Sequence, residues 1–511
     1  MPPWGERAMD RVVVTTTGQV RGTAHDGCEV YLGIPYAEPP FGPNLLRPPQ
    51  PRRPWDGVRD CVEFGPHCPQ PDALAIMPRP VGPGEDCLSL NVWAPPGGER
   101  LPVMVWIHGG AYIYGSGADE GTDGRAFARD GVILVTINYR LGALGFLHAG
   151  SLDDRYAEAS GNYGLADQIA ALRWVQDNIA NFGGDPGNVT IFGCSAGGTY
   201  VSTLLGCPAA QGLFAKVISQ SAGGAPLFGF SPDLAVPVAQ IVLDKLGVPT
   251  ADLPSVPYKR IVDAQVELLA EINRGERDDV FGEQSIPFVP LVGGDLLPSA
   301  AIDAVGAGVG ADVDLVIGTC RDEMTTFELM AEMTGSSVGV AARPWGAAAD
   351  IQQRINGVYD ATQEPDSPIA VSTSISTDRL FRVPSLRLAD AHVAAGGSTR
   401  VYMFGWRSPA FGGRVGASHG LECPFVFDNF GSPMMSMMLG GEPPQGLAAA
   451  VHGSWAAFAK TGDPAATGAV ASWPAYDTET RMTMVFDETS AAVPDPHGER
   501  RRVWDGVDVA L

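Results

Sequence analysis

Apolar residues gather in short runs that alternate with segments of helical periodicity along most of this sequence. Several runs are continuously apolar, which is typical of strands buried on both faces of a sheet. Their alternation with helical segments predicts an α/β protein with a mainly parallel central sheet flanked by helices. The clearest predicted strands are Val103–His108, Val132–Asn138, Val189–Gly193, Lys216–Ser219, Leu315–Gly318, Val401–Phe404 and Met482–Phe486.

One amphipathic helix is especially clear, just before the predicted strand Val189–Gly193. Its apolar residues recur three or four positions apart, which places them on a single stripe of a helix. The sequence Gly-Gly-Asp-Pro at 183–186 predicts the point where the helix ends. The stripe consists of Leu165, Ile169, Leu172, Val175, Ile179 and Phe182.

Two longer stretches, at about 231–290 and 325–400, have helical or irregular patterns instead of strand-like runs. We expect them to be helical insertions above or beside the sheet. No repeat or linker divides the chain, and α/β enzymes often carry long insertions on one core. The sequence therefore predicts a single domain over residues 1–511.

The chain is strongly acidic, with 34 Lys and Arg residues, 58 Asp and Glu residues and a net charge of −24. Nucleic-acid binding needs a basic face, so this balance argues against nucleic acid as a partner. No apolar run reaches the length of about 18 residues that a membrane span needs. The N-terminus has no basic region followed by an apolar one. We expect a cytoplasmic protein that binds no membrane; secretion is the alternative, and the oligomeric state is not predicted.

Eight cysteines are scattered along the chain, and no CxxC motif or Cys/His cluster indicates zinc. We therefore expect no metal and no organic cofactor, and we look for chemistry carried by the chain itself.

A candidate nucleophile follows the predicted strand Val189–Gly193. Residues 193–197 read Gly-Cys-Ser-Ala-Gly, which fits the GxSxG motif, and a helix-like run begins directly afterwards. A sharp strand-to-helix turn of this kind exposes the serine hydroxyl, and small flanking residues make room for it. GxSxG by itself is a weak signal that fits an ordinary glycine-rich turn. The strand–turn–helix context makes Ser195 the predicted nucleophile.

A second glycine-rich segment, His108-Gly109-Gly110-Ala111, ends an earlier predicted strand. Paired glycines at such a place let backbone N–H groups point into a site, as in the oxyanion hole of lipases and esterases. We assign the oxyanion donors to Gly110, Ala111 and Ala196. The alternative is a glycine turn without a catalytic role.

These segments together resemble the type-B carboxylesterase family, which also contains the cholinesterases. The resemblance covers most of the chain, and its long central block is highly specific. It implies the α/β-hydrolase fold and a serine esterase activity. The segments that carry it are 31–40 (YLGIPYAEPP), 84–95 (GEDCLSLNVWAP), 102–117 (PVMVWIHGGAYIYGSG), 137–147 (INYRLGALGFL), 161–198 (GNYGLADQIAALRWVQDNIANFGGDPGNVTIFGCSAGG), 218–223 (ISQSAG) and 455–464 (WAAFAKTGDP).

The resemblance also implies the acid and the base of a catalytic triad. The acid of the family precedes a glycine after a strand; here Glu323 takes that position, but Met324 replaces the glycine, so Asp322 is the alternative acid. The histidine of the family precedes a glycine and an acidic–aromatic stretch, and His419 matches it. The order Ser195, acid, His419 is the order of α/β-hydrolases.

Four further residues take their expected roles from the resemblance. Ser221 is expected to support Glu323, with an ordinary buried serine as the alternative. Cys194 stands where many relatives have an acidic residue; we interpret it as a small buried hydrophobic residue, with a redox role as the alternative. Cys68 and Cys87 match the first disulfide of the family, a bond that a reducing cytosol would disfavour.

The resemblance implies a carboxylesterase that acts on uncharged small-to-medium esters through an acyl-enzyme intermediate. Hydrolysis of aryl carbamates or amides, or acyl transfer to another acceptor, would use the same triad. Some relatives are adhesion proteins without a triad, but the intact Ser195, Glu323 and His419 argue against a non-catalytic binding protein. A choline site is not expected, because the loop at 69–86 (PQPDALAIMPRPVGPGED) has no aromatic residue and Cys194 replaces a carboxylate.

Overall fold

One sheet of 13 strands dominates the structure, which is a computed structural model. The structure describes residues 7–25, 27–71, 80–224, 227, 230–281, 286–334, 348–364, 367 and 369–509, with the backbone alone for 7–10 and 334. The strands are β1 (Arg7–Thr15), β2 (Gly18–His25), β3 (Cys28–Pro35), β4 (Val58–Asp60), β5 (Ser89–Ala94), β6 (Leu101–Ile107), β7 (Ile133–Ile137), β8 (Gly184–Cys194), β9 (Lys216–Gln220), β10 (Asp314–Cys320), β11 (Thr399–Phe404), β12 (Met482–Phe486) and β13 (Ala491–Pro494).

Sixteen α-helices are assigned within the described residues. They are α1 (Arg125–Arg129), α2 (Gly142–Phe146), α3 (Tyr163–Asn178), α4 (Ala196–Leu205), α5 (Pro232–Leu246), α6 (Tyr258–Asn273), α7 (Asp278–Phe281), α8 (Ala301–Gly306), α9 (Thr325–Thr334), α10 (Ala349–Thr362), α11 (Val371–Thr377), α12 (Val383–Ala394), α13 (Cys423–Val426), α14 (Pro433–Leu439), α15 (Gln445–Thr461) and α16 (Gly498–Arg502). None of them is both long and apolar enough to cross a membrane.

The strand order is β1-β2-β3-β5-β7-β6-β8-β9-β10-β11-β12-β13, and β4 pairs with β2. The seven consecutive strands from β7 to β12 in this order are parallel. The seven strands predicted from apolar runs are these seven, so the predicted α/β fold with a mainly parallel sheet is confirmed. The structure extends several of them, most of all β8, which begins at Gly184 instead of Val189.

The sequence analysis missed the antiparallel strands β1, β2, β3, β5 and β13, and also the short strand β4. β5 shows why: it is completely buried, yet its sequence SLNVWA contains two polar residues. The Asn91 side chain donates hydrogen bonds to the Gly117 carbonyl at 3.1 Å and to Thr136 Oγ1 at 2.9 Å. A polar residue that satisfies its hydrogen bonds in this way can be buried, but it interrupts the apolar run that reveals a strand.

Successive residues of the central strands face two separate hydrophobic layers. Val105 and Ile191 belong to the larger core cluster, whereas their neighbours Trp106 and Phe192 belong to a second cluster on the opposite face. Burial on both faces accounts for the continuous apolar runs in the sequence. The predicted amphipathic helix is α3; its last turn, Ile179–Phe182, tightens into a 3-10 helix that ends at Gly183 with φ 91°.

The stretch 231–290 contains α5, α6 and α7, and the stretch 325–400 contains α9 to α12. Residues 282–285 and 335–347 of these stretches lie outside the described residues. The interpretation of both stretches as insertions on a single domain stays a prediction.

The register of the sheet brings the ends of three parallel strands together. Cys194 at the end of β8 is paired with Gln220 at the end of β9, and Gln220 is paired with Gly318 on β10. Residues that follow these strands therefore meet at one edge of the sheet. In open α/β sheets this carboxyl edge is where ligands bind.

Candidate active site

Ser195 lies in a strained turn between β8 and α4. Its backbone has φ 63° and ψ −127°, a conformation that L-residues rarely adopt. Neighbouring glycines make this turn possible: a Cβ atom at Gly193 would lie 2.5 Å from the Ile107 carbonyl oxygen, and one at Gly197 would lie 2.1 Å from the same atom. Both glycines of the motif are thus required by close contact with β6, and the predicted strand–turn–helix context is present.

The predicted oxyanion segment packs directly against this turn. A Cβ atom at Gly109 would lie 3.1 Å from the Cβ of Ser195. Gly110 and Ala111 both have positive φ, at 113° and 51°, so the chain reverses tightly beside the nucleophile. Within the described residues, the N–H groups of Gly110 and Ala111 donate no hydrogen bond to the chain. The N–H of Ala196 belongs to the first turn of α4, where helical N–H groups have no intrahelical acceptor.

A buried histidine anchors this segment. His108 stacks on the Tyr139 ring with centroids 4.3 Å apart, and the Tyr139 hydroxyl donates a hydrogen bond of 2.6 Å to the His108 carbonyl. On the other side of the segment, the amide side chain of Gln70 donates to the Gly115 carbonyl and accepts from the Gly115 N–H, both at 2.9 Å. These contacts fix the backbone on both sides of Gly110.

The structure pairs His419 with Glu323. The distance between His419 Nδ1 and Glu323 Oε2 is 2.5 Å, and both side chains are removed from solvent. Glu323 Oε1 accepts a hydrogen bond of 2.7 Å from the Cys320 backbone N–H, which fixes the other end of the carboxylate. Burial opposes the charged imidazolium, but the charge of Glu323 and its hydrogen bond outweigh burial and raise the pKa of His419. The arrangement holds an imidazole with Nε2 as its free nitrogen.

Nε2 of His419 is buried and has no hydrogen-bond partner within the described residues. A neutral imidazole whose Nδ1 is bound to a carboxylate presents an acceptor at Nε2, which is the position that a general base needs. Two aromatic side chains that the sequence analysis did not single out flank the ring. The centroids of Phe327 and Phe381 lie 5.1 and 4.9 Å from that of His419.

Asp322, the alternative acid, faces a different group. Its Oδ2 accepts a hydrogen bond of 2.9 Å from the Ala417 backbone N–H and lies 3.3 Å from Arg407 Nε. The carboxylate next to His419 is therefore that of Glu323. Asp322 instead fixes the loop that carries His419. Met324 is buried and has no positive φ, so the position that is usually glycine does not need glycine here.

A second buried carboxylate, Glu422, lies near Cys194, the residue before Ser195, and the sequence analysis did not single it out. Its Oε2 accepts from Cys320 Sγ at 2.7 Å, and its Oε1 lies 3.8 Å from Cys194 Sγ and 3.5 Å from Ser221 Oγ. Burial, followed by the nearby charge of Glu323, raises the pKa of Glu422. The carboxylate within hydrogen-bonding distance of the Ser221 hydroxyl is therefore Glu422, at 3.5 Å, instead of the expected Glu323.

One sequence signal could have indicated Glu422. It is the single acidic residue in the otherwise apolar stretch Leu421-Glu422-Cys423-Pro424-Phe425-Val426-Phe427. An acidic residue in such a stretch must be buried with partners, and partners of a buried carboxylate are rarely incidental. Its other neighbours come from β8 and β10, far away in the sequence, and no local motif could have supplied them.

Cys194 is buried, as interpreted from the sequence, but it is not isolated among apolar residues. Its thiol lies within 4.8 Å of the Cys423 thiol and 3.8 Å from Glu422 Oε1. Cys68 and Cys87 are also buried, and the two thiols interact electrostatically. The structure holds all eight cysteines as thiols, so the Cys68–Cys87 disulfide stays a prediction. Part of the loop between them, 72–79, lies outside the described residues.

The strained turn at Ser195, the neighbouring Gly109–Ala111 segment and the buried Glu323–His419 pair form the arrangement expected of a serine hydrolase of the α/β-hydrolase class. The chain belongs to the carboxylesterase family, whose model matches residues 9–504. It is therefore a serine hydrolase that acts on carboxylic ester bonds.

Relatives of known name are similar over nearly the whole chain. The para-nitrobenzyl esterase of Bacillus subtilis (strain 168) is 36% identical over 507 residues, which cover 96% of this chain and 98% of the relative. The phenmedipham hydrolase of Pseudarthrobacter oxydans is 34% identical over 94% of this chain and 95% of its own. The crystal structure of the Geobacillus stearothermophilus carboxylesterase EST55 at pH 6.2 has a TM-score of 0.83 and 37% identity, covering 96% of this chain and 99% of its own.

Proposed function

We propose that this carboxylesterase hydrolyses uncharged, small-to-medium carboxylic esters with Ser195 as nucleophile, His419 as general base and Glu323 as its acidic partner. The observation that carries the assignment is the 2.5 Å contact between His419 Nδ1 and Glu323 Oε2, which leaves Nε2 buried and without a partner in the described chain. An imidazole oriented in this way is suited to accept the hydroxyl proton of a serine.

The proposed reaction has two halves. His419 accepts the proton of the Ser195 hydroxyl while Oγ attacks the ester carbonyl, and the N–H groups of Gly110, Ala111 and Ala196 stabilise the oxyanion. His419 then donates that proton to the departing alcohol, which leaves an acyl group on Ser195. In the second half His419 activates water, which releases the carboxylic acid and restores the serine. Glu323 fixes the imidazole and stabilises the imidazolium in both halves.

The preference for uncharged esters is proposed from the groups near the nucleophile. Cys194 occupies the position where many relatives have a carboxylate, and a thiol offers no charge to a cationic substrate. Glu422 does lie near Cys194, but it is completely buried, and burial together with the charge of Glu323 raises its pKa. No aromatic residue in the sequence 69–86 can supply a cation–π contact.

The test is a panel of aryl esters, aryl carbamates and anilides with matched acyl and leaving groups, compared by kcat/KM. We expect the uncharged esters to have the highest values. Phenmedipham belongs in the panel, since one relative is named for its hydrolysis. A carbamate or anilide that exceeds its matched ester would support the alternative reaction class on the same triad. Transfer of the acyl group to an added alcohol in preference to water would support an acyltransferase.

A further inference from the structure

Two thiols and one carboxylate form a buried cluster directly behind the nucleophile. The ligand atoms of Cys194, Glu422 and Cys423 all lie within 4.8 Å of one another. Cys320 extends the cluster, because its thiol contacts the second oxygen of Glu422 at 2.7 Å. The proposed hydrolysis does not use any of the three thiols.

These side chains are a ligand set for a thiophilic cation. Cysteine sulfur and carboxylate oxygen bind Zn²⁺ and related d¹⁰ ions in four-coordinate sites, with sulfur about 2.3 Å from the metal. Ligand atoms around such an ion stand about 3.5–4 Å apart, and those of the cluster lie within 4.8 Å of one another. Within the described part of the chain, no other three side chains of His, Cys, Asp or Glu are equally close together.

The cluster has a side from which a cation can enter. Cys194, Glu422 and Cys320 are buried, whereas Cys423 at the start of α13 is partly exposed. A cation that meets Cys423 first would reach Glu422 and Cys194 behind it.

We propose that Cys194, Glu422 and Cys423 form a binding site for a thiophilic divalent cation such as Zn²⁺ or Cd²⁺, and that its occupancy slows ester hydrolysis. Each coordinating thiol gives its proton to solvent as the cation binds.

The coupling to hydrolysis follows from the positions of the ligands in the chain. Cys194 directly precedes Ser195, and Glu422 follows His419 by three residues, so one cation would tie the nucleophile turn to the histidine loop. Glu422 also interacts electrostatically with both Glu323 and His419. Because two thiol protons leave as the cation binds, the net charge of the cluster hardly changes, and the expected effect comes from the restraint on the two loops that carry Ser195 and His419. The cation is therefore expected to lower kcat more than it raises KM.

The experiment adds CdCl₂ to the full-length, fully reduced protein and follows two signals. The first is the ultraviolet charge-transfer absorbance of cadmium thiolate, which reports binding without reference to activity. The second is hydrolysis of a chromogenic acetate ester, expressed relative to the cadmium-free rate of the same protein. We expect one tightly bound equivalent, a loss of activity of at least about tenfold, and recovery after addition of EDTA.

Two variants remove ligands, and a third is the matched control. Cys194→Ala and Cys423→Ser should each weaken cadmium binding by at least the roughly 10–100-fold that loss of a supporting partner costs at metal sites. Cys87→Ala removes one thiol of the other adjacent pair, Cys68 and Cys87, and should keep both signals of the unaltered protein. Glu422→Gln tests the carboxylate ligand and replaces Cys194→Ala if that variant does not fold, as judged by thermal unfolding without metal.

Three results would overturn the proposal. The first is the absence of the cadmium absorbance in the reduced protein. The second is equal binding by the unaltered protein and by Cys423→Ser, or loss of binding in Cys87→Ala instead. The third is stoichiometric binding at this cluster with unchanged activity, which contradicts the coupling. Because the absorbance does not depend on the substrate, failure here is distinguishable from a wrong choice of ester.

Discussion

Glu323 and Glu422 are both completely buried near the same histidine, yet different groups surround them. Glu323 accepts one hydrogen bond from a backbone N–H and one from the Nδ1 of His419. Glu422 accepts from the thiol of Cys320 and from side chains at the ends of β8 and β9. An S–H group is a weak donor, so it stabilises a carboxylate less than an N–H does.

This difference teaches that burial alone does not decide what a carboxylate does. Glu323 has a basic partner whose positive charge it can stabilise, and that charge arises during hydrolysis. Glu422 has neutral partners, and its pKa is raised by burial and by the charge of Glu323. We therefore assign the catalytic partnership to Glu323 and expect Glu422 to act on the active site through the thiols and loops that it contacts.

The largest expected effect concerns Ser195 and His419, the proposed nucleophile and general base. Ser195→Ala and His419→Ala should each lower kcat by roughly 10⁴ or more while the protein stays folded. The measurement is steady-state hydrolysis of a chromogenic ester, with circular dichroism as the control for folding. A folded Ser195→Ala protein that keeps a tenth of its activity would reject the assignment of the nucleophile.

The next prediction separates the carboxylates. Glu323→Gln should lower kcat by roughly 10³–10⁴, because an amide neither fixes the imidazole tautomer nor stabilises the imidazolium. Asp322→Asn and Glu422→Gln keep the side-chain shape and should lower kcat by less than about tenfold, since neither carboxylate contacts the imidazole. Comparable losses in Glu422→Gln and Glu323→Gln would remove the distinction between the two regions. A larger loss of kcat in Asp322→Asn than in Glu323→Gln would assign the role of acidic partner to Asp322.

The pH dependence gives a finer test. Hydrolysis needs neutral His419, so kcat/KM should rise with pH through the pKa of this residue, which Glu323 raises above the usual value of about 6.5. In Glu323→Gln burial is no longer opposed by the carboxylate, so the rise should move to lower pH. Glu422 makes the smallest contribution to the raised pKa, and Glu422→Gln should move the rise less. A profile that shifts more in Glu422→Gln than in Glu323→Gln would contradict the account.

The smallest expected effect concerns substrate charge. A choline ester should be no better a substrate than its neutral carbon isostere, because Cys194 and the loop 69–86 offer no local attraction for a cation. Tyr112 cannot supply an aromatic contact, since its ring is buried against Tyr200 with centroids 5.0 Å apart. The net charge of −24 acts over long range and is screened by salt. A preference for the cation above about tenfold, or 1.4 kcal/mol, at both low and high salt would refute this prediction.

The parts of the site that could be predicted from the sequence are those whose residues lie close together along the chain. Ser195 and its glycines lie within five consecutive residues, so strand, turn and helix could be recognised together. Glu323 and His419 could be placed through the family resemblance, although only the structure shows which of Asp322 and Glu323 faces the imidazole. The strands of the parallel sheet could be predicted because both of their faces are apolar.

The missed features share a different cause. Cys194 and Cys320 lie at the ends of β8 and β10, which the register of the sheet brings together, and Glu422 reaches them from the segment just before α13. For the same reason, the sequence analysis expected Ser221 to contact Glu323, whereas its hydroxyl lies next to Glu422. The antiparallel strands escaped notice because hydrogen-bonded polar residues such as Asn91 interrupt their apolar runs. Sequence patterns report burial well, and they report the pairing of distant polar groups poorly.

The most direct test of the central claim, that Ser195 is activated through His419 and Glu323, is covalent labelling with a chromogenic phosphonate ester followed by mass spectrometry. One phosphonyl group should attach to Ser195, in the tryptic peptide 174–216. Labelling should be abolished in Ser195→Ala, strongly slowed in Glu323→Gln, and within about tenfold of the unaltered rate in Glu422→Gln. Labelling of another residue, or equal rates in the unaltered protein and Glu323→Gln, would contradict the account.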